Sequence, residues 1–314
     1  MSGAVLGLDT SNYTTSVALF DGENGCNVGK LLDVPEGALG LRQSDALFQH
    51  VKRLPGLVEE LAGQMELNHI RAVGASTRPR AVEGSYMPCF LAGTSQAQAL
   101  ACVLKVPFFP CSHQQGHLAA AAWSAGRMDL LDKPFLAWHL SGGTTELLLV
   151  EPDGCNVKAR ILGGTSDISA GQLIDRTGVL LGLSFPAGKA LDRLYSEGTQ
   201  TKPFKVKLQG LTFSLSGMEN KVKQLLEAGE EPAAIARFTL DTVCGVVLRA
   251  TQEAQRRWPG LPVLCSGGVA SNRQLRRVLE SRCGALFAQP QYSTDNAMGT
   301  AILTWRALEE EKGT

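Results

Sequence analysis

The sequence predicts an α/β protein whose fold is built twice over. Three observations carry this expectation. A strand, a polar turn and a return strand occupy residues 4–20, and the same pattern returns at 135–150. A later strand, 261–266, runs into a glycine pair and then a helix. Between them lie stretches whose apolar residues recur at helical spacing. A chain of 314 residues also has the length of two domains or one large bilobal unit.

Taken in order, Ala4-Val5-Leu6-Gly7-Leu8 is a short apolar strand that stops at Asp9-Thr10-Ser11-Asn12. Thr15 to Phe20 returns as the second strand of a hairpin and stops at Asp21-Gly22. The turn offers hydroxyls and backbone N–H groups to a phosphate, or Asp9 to a cation, although a plain polar turn has the same composition. Leu47, Val51, Leu54, Leu57 and Leu61 mark one helical core face, and Ala97, Leu100, Ala101, Val103 and Leu104 a second. Phe135 to Leu140 is the next strand, broken by Ser141-Gly142-Gly143-Thr144-Thr145 and answered by Glu146 to Val150. A third helix takes in Val243 to Ala250. Leu261 to Ser266 then enters Gly267-Gly268-Val269-Ala270-Ser271-Asn272, with a helix from Gln274 to Leu279. Glycines at a strand-to-helix turn let a ligand lie against the backbone, facing the helix N-terminus. Two such hairpins and a late strand-Gly-Gly-helix form the order expected of the actin, sugar kinase and Hsp70 type of nucleotide-binding fold.

Composition narrows the partners. No apolar run reaches membrane-spanning length and Met1-Ser2-Gly3 lacks a basic signal-peptide region, so a cytoplasmic location and no membrane partner are expected. The cysteines at 26, 89, 102, 111, 155, 244, 265 and 283 form no Cys-x-x-Cys pair, which suits a reducing compartment. Cys102, Cys244 and Cys265 sit in apolar runs as expected core residues. Formal net charge is zero, so a nucleic-acid partner would have to meet a local basic patch.

The chemistry centres on Ser112-His113-Gln114-Gln115-Gly116-His117, followed by the helix-forming run Leu118 to Ala122. Imidazoles at i and i+4 on a helix face the same way and can converge on one divalent ion. Asp295, in Ser293-Thr294-Asp295-Asn296-Ala297, is the candidate third ligand. The competing reading makes one histidine a cap and the other a satisfied half-buried residue.

With these residues in view, the chain resembles the tRNA threonylcarbamoyladenosine synthase family, also called the glycoprotease or O-sialoglycoprotein endopeptidase family. The resemblance runs from Val5 to Ala301. His113 and His117 match the family's metal-binding pair, Ser141-Gly142-Gly143 its phosphate loop, and Thr294-Asp295-Asn296 the segment with the third metal ligand. Asp175 with Leu180 to Gly188 matches the block that holds the adenylate ribose. Phe213-Ser214-Leu215-Ser216-Gly217 is similar to the family's Phe-Ser-Phe-Ser-Gly element, and Gly267 to Asn272 to its adenine-side loop.

The resemblance implies transfer of threonylcarbamoyl from threonylcarbamoyl-AMP to the exocyclic amine of the anticodon-adjacent adenosine of tRNA. It implies one divalent metal (iron or zinc, or else manganese) on His113, His117 and Asp295, and an adenine nucleotide, ATP or threonylcarbamoyl-AMP, as ligand. Substrate-binding positions would be His139, Leu140, Ser141, Gly142, Gly143, Asp175, Gly188, Gly267, Gly268 and Asn272, and catalytic ones Asp9 and Ser141. Partners would be tRNA, a small-molecule adenylate and other threonylcarbamoylation subunits. The lobes would divide as 1–112 with a C-terminal helix 295–314, and 113–294 carrying the nucleotide and metal site.

The chain departs from the family pattern in three places. The family's Glu-Thr-Ser-Cys-Asp-Glu-Thr turn is Asp9 to Thr15 here, with Tyr13 and Thr14 in place of the acidic pair. Its Ser-Gly-Gly-His-Thr loop is Ser141 to Thr145, with Thr144 for His, and its Gly-Pro-Gly element is Thr77-Arg78-Pro79-Arg80. These changes leave a second reading, a metal- and nucleotide-binding paralogue with altered or lost transfer that regulates or partners a true synthase. A metalloprotease would need a glutamate between the histidines, and a sugar or acetate kinase would need a carboxylate base and no histidine pair.

Overall fold

Val5, Leu6 and Leu8 are buried in the first strand, as are Val17 to Phe20 in its hairpin partner. A strand covered on both faces reads as a continuous apolar run, which is why these segments were legible. The structure is a computed structural model describing residues 3–11, 13–34, 41–64, 69–197 and 202–313; Asn12 of the first turn lies outside them.

In chain order the first half runs β1 (Ala4–Asp9), β2 (Thr14–Phe20), β3 (Gly25–Leu31), α1 (Gln43–Gln64), β4 (Ile70–Arg78), α2 (Phe90–Leu104), β5 (Phe108–Ser112) and α3 (His113–Ser124). Then come β6 (Phe135–Leu140), β7 (Thr145–Asp153), β8 (Asn156–Thr165), α4 (Ala170–Leu180), α5 (Gly188–Glu197), β9 (Leu208–Gln209) and β10 (Thr212–Phe213). The chain closes with α6 (Ser216–Glu227), α7 (Pro232–Arg257), β11 (Val263–Ser266), α8 (Arg273–Cys283), β12 (Leu286–Phe287) and α9 (Met298–Gly313).

One sheet is ordered β3-β2-β1-β4-β5. The other is ordered β12-β11-β6-β7-β8-β10-β9, so that β8-β7-β6-β11-β12 repeats the order of the first. In both, the hairpin is antiparallel and the following strand joins its first strand in parallel. This is the duplicated architecture expected from the repeated strand-turn-strand pattern.

The chain divides into two compact units, one of residues 1–133, 151–159 and 295–314, the other of 134–150 and 160–294. The boundary expected at 112 is therefore displaced, and His113 and His117 belong to the first unit. The physical reason is local. β5 runs directly into α3, and α3 lies against α9 so closely that a Cβ on Gly299 would overlap the Gly116 carbonyl.

In the first unit, Leu6, Leu8, Val17 and Leu19 pack on Leu54, Leu57 and Leu61 of α1 and on Ala97 and Ala101 of α2. The buried stripe of α1 is Ala46, His50, Leu54, Leu57 and Leu61. Val51, expected on that face, is exposed, because the buried line passes through His50, which bonds Thr15 Oγ1 at 2.8 Å. Val103 and Leu104 at the end of α2 are likewise exposed, and so is Cys102. Cys244 and Cys265 are buried as expected. In the second unit Leu136, Trp138 and Leu140 pack with Val243, Val246 and Val247 of α7 and Leu275 and Leu279 of α8. Trp138 satisfies its indole by donating to Thr251 Oγ1 at 2.9 Å.

Candidate functional site

The first unit builds a candidate metal site from the capping box outward. Ser112 Oγ accepts from Gln115 N at 3.2 Å and Gln115 Oε1 accepts from Ser112 N at 2.8 Å, fixing the start of α3. His113 and His117 then stand one turn apart with ring centroids 4.3 Å apart. Asp295 arrives from the segment before α9, where Asn296 Oδ1 accepts from Met298 N at 3.1 Å. Its Oδ1 lies 3.1 Å from His117 Nε2 and 3.5 Å from His113 Nε2.

The ligand atoms of His113, His117 and Asp295 all lie within 4.8 Å of one another. Ligands at ~2.1 Å in tetrahedral geometry stand roughly 3.4 Å apart, close to the 3.1 and 3.5 Å that separate Asp295 Oδ1 from the two Nε2 atoms. Asp9 supplies what such a site requires behind a histidine. Its Oδ2 is 2.8 Å from His113 Nδ1, its Oδ1 accepts from Ser11 N at 2.8 Å, and its side chain is 1% exposed. With Nδ1–H donated to Asp9, His113 presents Nε2 as the ligand atom.

The electrostatics agree with a cation. Burial opposes protonation of His113, but Asp9 and Asp295 outweigh it and push its pKa up to about 10. Burial raises Asp295, yet the two histidines hold it well below the usual carboxylate range. Asp9 is likewise lowered against its burial, by His113 and Ser11. Two carboxylates around two imidazoles form an anionic cluster that a divalent ion would neutralise. Nearby, Ser11 Oγ is buried with no hydrogen-bond partner among the described residues, a donor with capacity to spare. Pro79 of the basic Thr77 to Arg80 segment accepts from Gln114 N at 3.0 Å, tying that segment to the first turn of α3.

The second unit gathers the glycine turns. Ser141 closes the β6–β7 hairpin, its N–H donating to Thr144 O at 2.8 Å and its Oγ accepting from Thr144 N at 3.0 Å. Ser169, the N-cap of α4, donates to Gly142 O at 2.6 Å, which sets the start of α4 against this turn. Open space lies where Cβ atoms of Gly142, Gly143, Gly188 and Gly268 would be, room that a ligand could fill. Gly267, at φ +99°, lies so close to Leu140 O that any side chain would collide with it. His139, half-buried at the end of β6, is in register with Glu146 and Ser266.

Asp175 Oδ1 accepts from Ala187 N at 2.8 Å, joining α4 to the residue before Gly188, and burial raises its pKa. Asn272 is held differently from a free base-reading side chain. It N-caps α8 by accepting from Leu275 N at 2.9 Å and donates Nδ2 to Asp192 at 2.8 Å. Asp192, one helical turn beyond Gly188, escaped the sequence reading; the i, i+4 spacing from that glycine was the available signal. Asp167 escaped it too. It accepts from Leu215 N at 2.8 Å, Ser216 N at 3.3 Å and Ser214 Oγ at 2.5 Å, so it fills the turn that opens α6.

Among relatives, a Thermus thermophilus tRNA N6-adenosine threonylcarbamoyltransferase is 35% identical, over 96% of this chain and 92% of its own length. The Chlorobium luteolum protein of the same name is 31% identical over 95% of this chain and 91% of its own. Solved structures similar in fold include component A of the Acidaminococcus fermentans (R)-2-hydroxyglutaryl-CoA dehydratase, at TM-score 0.58 and 16% identity, covering 98% of this chain and all of that one. Full-length HypF, in its phosphate- and nucleotide-bound form, has TM-score 0.64 at 13% identity, covering 99% of this chain and 56% of that one. These likenesses establish the actin, Hsp70 and sugar kinase type of fold. The model of the TsaD family, tRNA N6-adenosine threonylcarbamoyltransferase, matches residues 40–302, and the chain belongs to that family.

Proposed function

We propose that this protein transfers threonylcarbamoyl from threonylcarbamoyl-AMP to the exocyclic amine of the adenosine beside the anticodon of tRNA. The observation that carries the reading is the convergence of His113, His117 and Asp295, backed by Asp9 on His113 Nδ1, in a chain of this family. His113, His117 and Asp295 would hold one divalent ion, iron, zinc or manganese, all compatible with two imidazoles and a carboxylate. When bound, such an ion supplies Lewis-acid polarisation of the threonylcarbamoyl carbonyl.

The chain's own residues do the rest. Backbone N–H groups of Gly142 and Gly143 take the phosphate of the departing AMP, where negative charge grows as the C–O bond breaks, while the Ser141 N–H stays in the turn on Thr144 O. Asp175 accepts from ribose hydroxyls, and Gly188 and Gly268 leave room for the nucleoside. Asp9, with both oxygens engaged, orients His113 instead of abstracting a proton. The tRNA amine attacks the carbonyl carbon, AMP departs, and the amine proton passes to solvent or to the departing phosphate. Partner subunits of the threonylcarbamoylation system belong to the same proposal.

The test is transfer of labelled threonylcarbamoyl to a tRNA transcript by the metal-loaded protein, with partner subunits supplied. Labelled product lost in His113→Ala/His117→Ala is the expected result. No product from the wild type, with metal and adenylate still bound, would replace the transferase with the binding or regulatory paralogue that Tyr13 and Thr14 suggested.

A further inference from the structure

The second unit contains a cavity of about 490 Å³ that holds none of the candidate metal, nucleotide or catalytic residues, although Phe213, Ser214 and Gly217 of the 213–217 element line it. Its wall is formed by Phe204, Val206, Phe213 and Met218, with Lys207 and Lys221 at its polar side and no aspartate or glutamate in its lining. Val206, Phe213 and Met218 are buried, whereas Phe204 is 44% exposed, an aromatic ring open to a visitor. The volume lies within the range of roughly 300–1,000 Å³ typical of ligand sites.

The charge around it is unusual for this chain. Lys207 has no ion pair among the described residues, and Lys221 reaches only the amide oxygen of Gln224, at 3.2 Å. Neighbouring cations are neutralised, with Glu219 taking Arg176 at 2.6 Å and Lys223 at 3.0 Å. Lys202 and Lys205 continue the exposed positive segment beyond the cavity, Lys202 sharing the wall of a neighbouring cavity with Glu230. In a protein of zero formal net charge this is a local basic patch with an aromatic in its midst. Unpaired lysines answer phosphates, and an exposed ring beside them answers a base face.

We propose that this cavity docks one unstacked nucleotide of an RNA chain, its base against Phe204 and its flanking phosphates on Lys207 and Lys221. Lys202 and Lys205 follow the RNA backbone outward, which is more charge than a free mononucleotide could cover. The choice of RNA rests on the proposed function; the cavity and its lysines do not.

The experiment measures binding of an unmodified tRNA transcript as a function of KCl. Lys207→Ala/Lys221→Ala should weaken binding about tenfold at low salt and reduce the slope of log affinity against log salt by about 1–2. Phe204→Ala should weaken it about tenfold with the slope unchanged. Lys207→Arg/Lys221→Arg should restore binding, and melting temperatures of these surface variants should match the wild type. Unchanged affinity and slope in the double alanine variant overturn the inference, whether or not the protein transfers threonylcarbamoyl. Displacement of the transcript by AMP with the same lysine dependence also overturns it, in favour of a mononucleotide site. Failure of the wild type to bind the transcript overturns it as well. Lysine-dependent binding without transfer would leave this docking site standing and remove the transferase.

Discussion

At the residue scale, the candidate metal site depends on a residue outside the candidate ligand set. Asp9 is separated from His113 by 104 positions, so no local pattern announces the pairing, whereas His113 and His117 declare themselves by i, i+4 spacing behind a Ser-x-x-Gln capping box. Asp9→Asn keeps the shape and removes the charge that holds the His113 tautomer. Metal affinity, read by competition with a chromophoric chelator, should fall about 10–100-fold while the fold is retained. Unchanged affinity would reduce Asp9 to a turn residue. The cysteines give a second test. Burial pushes the Cys111 and Cys244 thiols up to about 12, so at pH 8 almost no thiolate is present at either. A thiol reagent at that pH should label exposed Cys102 first and reach Cys111 and Cys244 only on unfolding. Rapid native labelling of Cys111 would mean that the metal helix opens far more readily than its packing implies.

At the element scale, the position of Asp295 is set by how closely α9 approaches α3. The two glycines at their crossing, Gly116 and Gly299, have no side chains to hold the helices apart. Gly299→Ala should cost about 1–3 kcal/mol by overpacking and weaken metal binding with it, because Asp295 moves with α9. Gly245→Ala is the counter-test. It lies inside α7 with nothing within 4 Å of an added Cβ, so it should raise stability by about 0.5–1 kcal/mol in a denaturant titration. Equal effects of the two substitutions would remove the packing argument. The same physics decides which elements were legible. Long apolar strands and helices with buried stripes announced themselves, but β9, β10 and β12 are two residues each and carry no periodicity. Val51 and Val103 misled because an apolar side chain one position off the buried line still fits a loose helical count.

At the scale of the whole molecule, each half repeats one strand order and carries one part of the proposed chemistry. The duplication was legible because both hairpins keep an apolar strand on each side of a polar turn. The unit boundary was not, because it depends on where α3 packs. His113, His117, Asp295 and Asp9 belong wholly to the first unit, and Ser141 to Gly143, Asp175, Gly188 and Asn272 wholly to the second. The bonds His113–Asp9 and His117–Asp295 join residues of the first unit, and Asp175–Ala187 and Asn272–Asp192 join residues of the second. Substitutions without shared partners add to within about 0.5 kcal/mol, or roughly twofold in affinity. Titration calorimetry of AMP should therefore give His113→Ala/His117→Ala the wild-type dissociation constant within about twofold. Asp175→Ala, which removes an acceptor to the ribose, should lower AMP affinity by roughly 1–3 kcal/mol and leave metal content untouched. Loss of AMP binding on removing the histidines would mean that the loops of the second unit are ordered only when the metal set is intact.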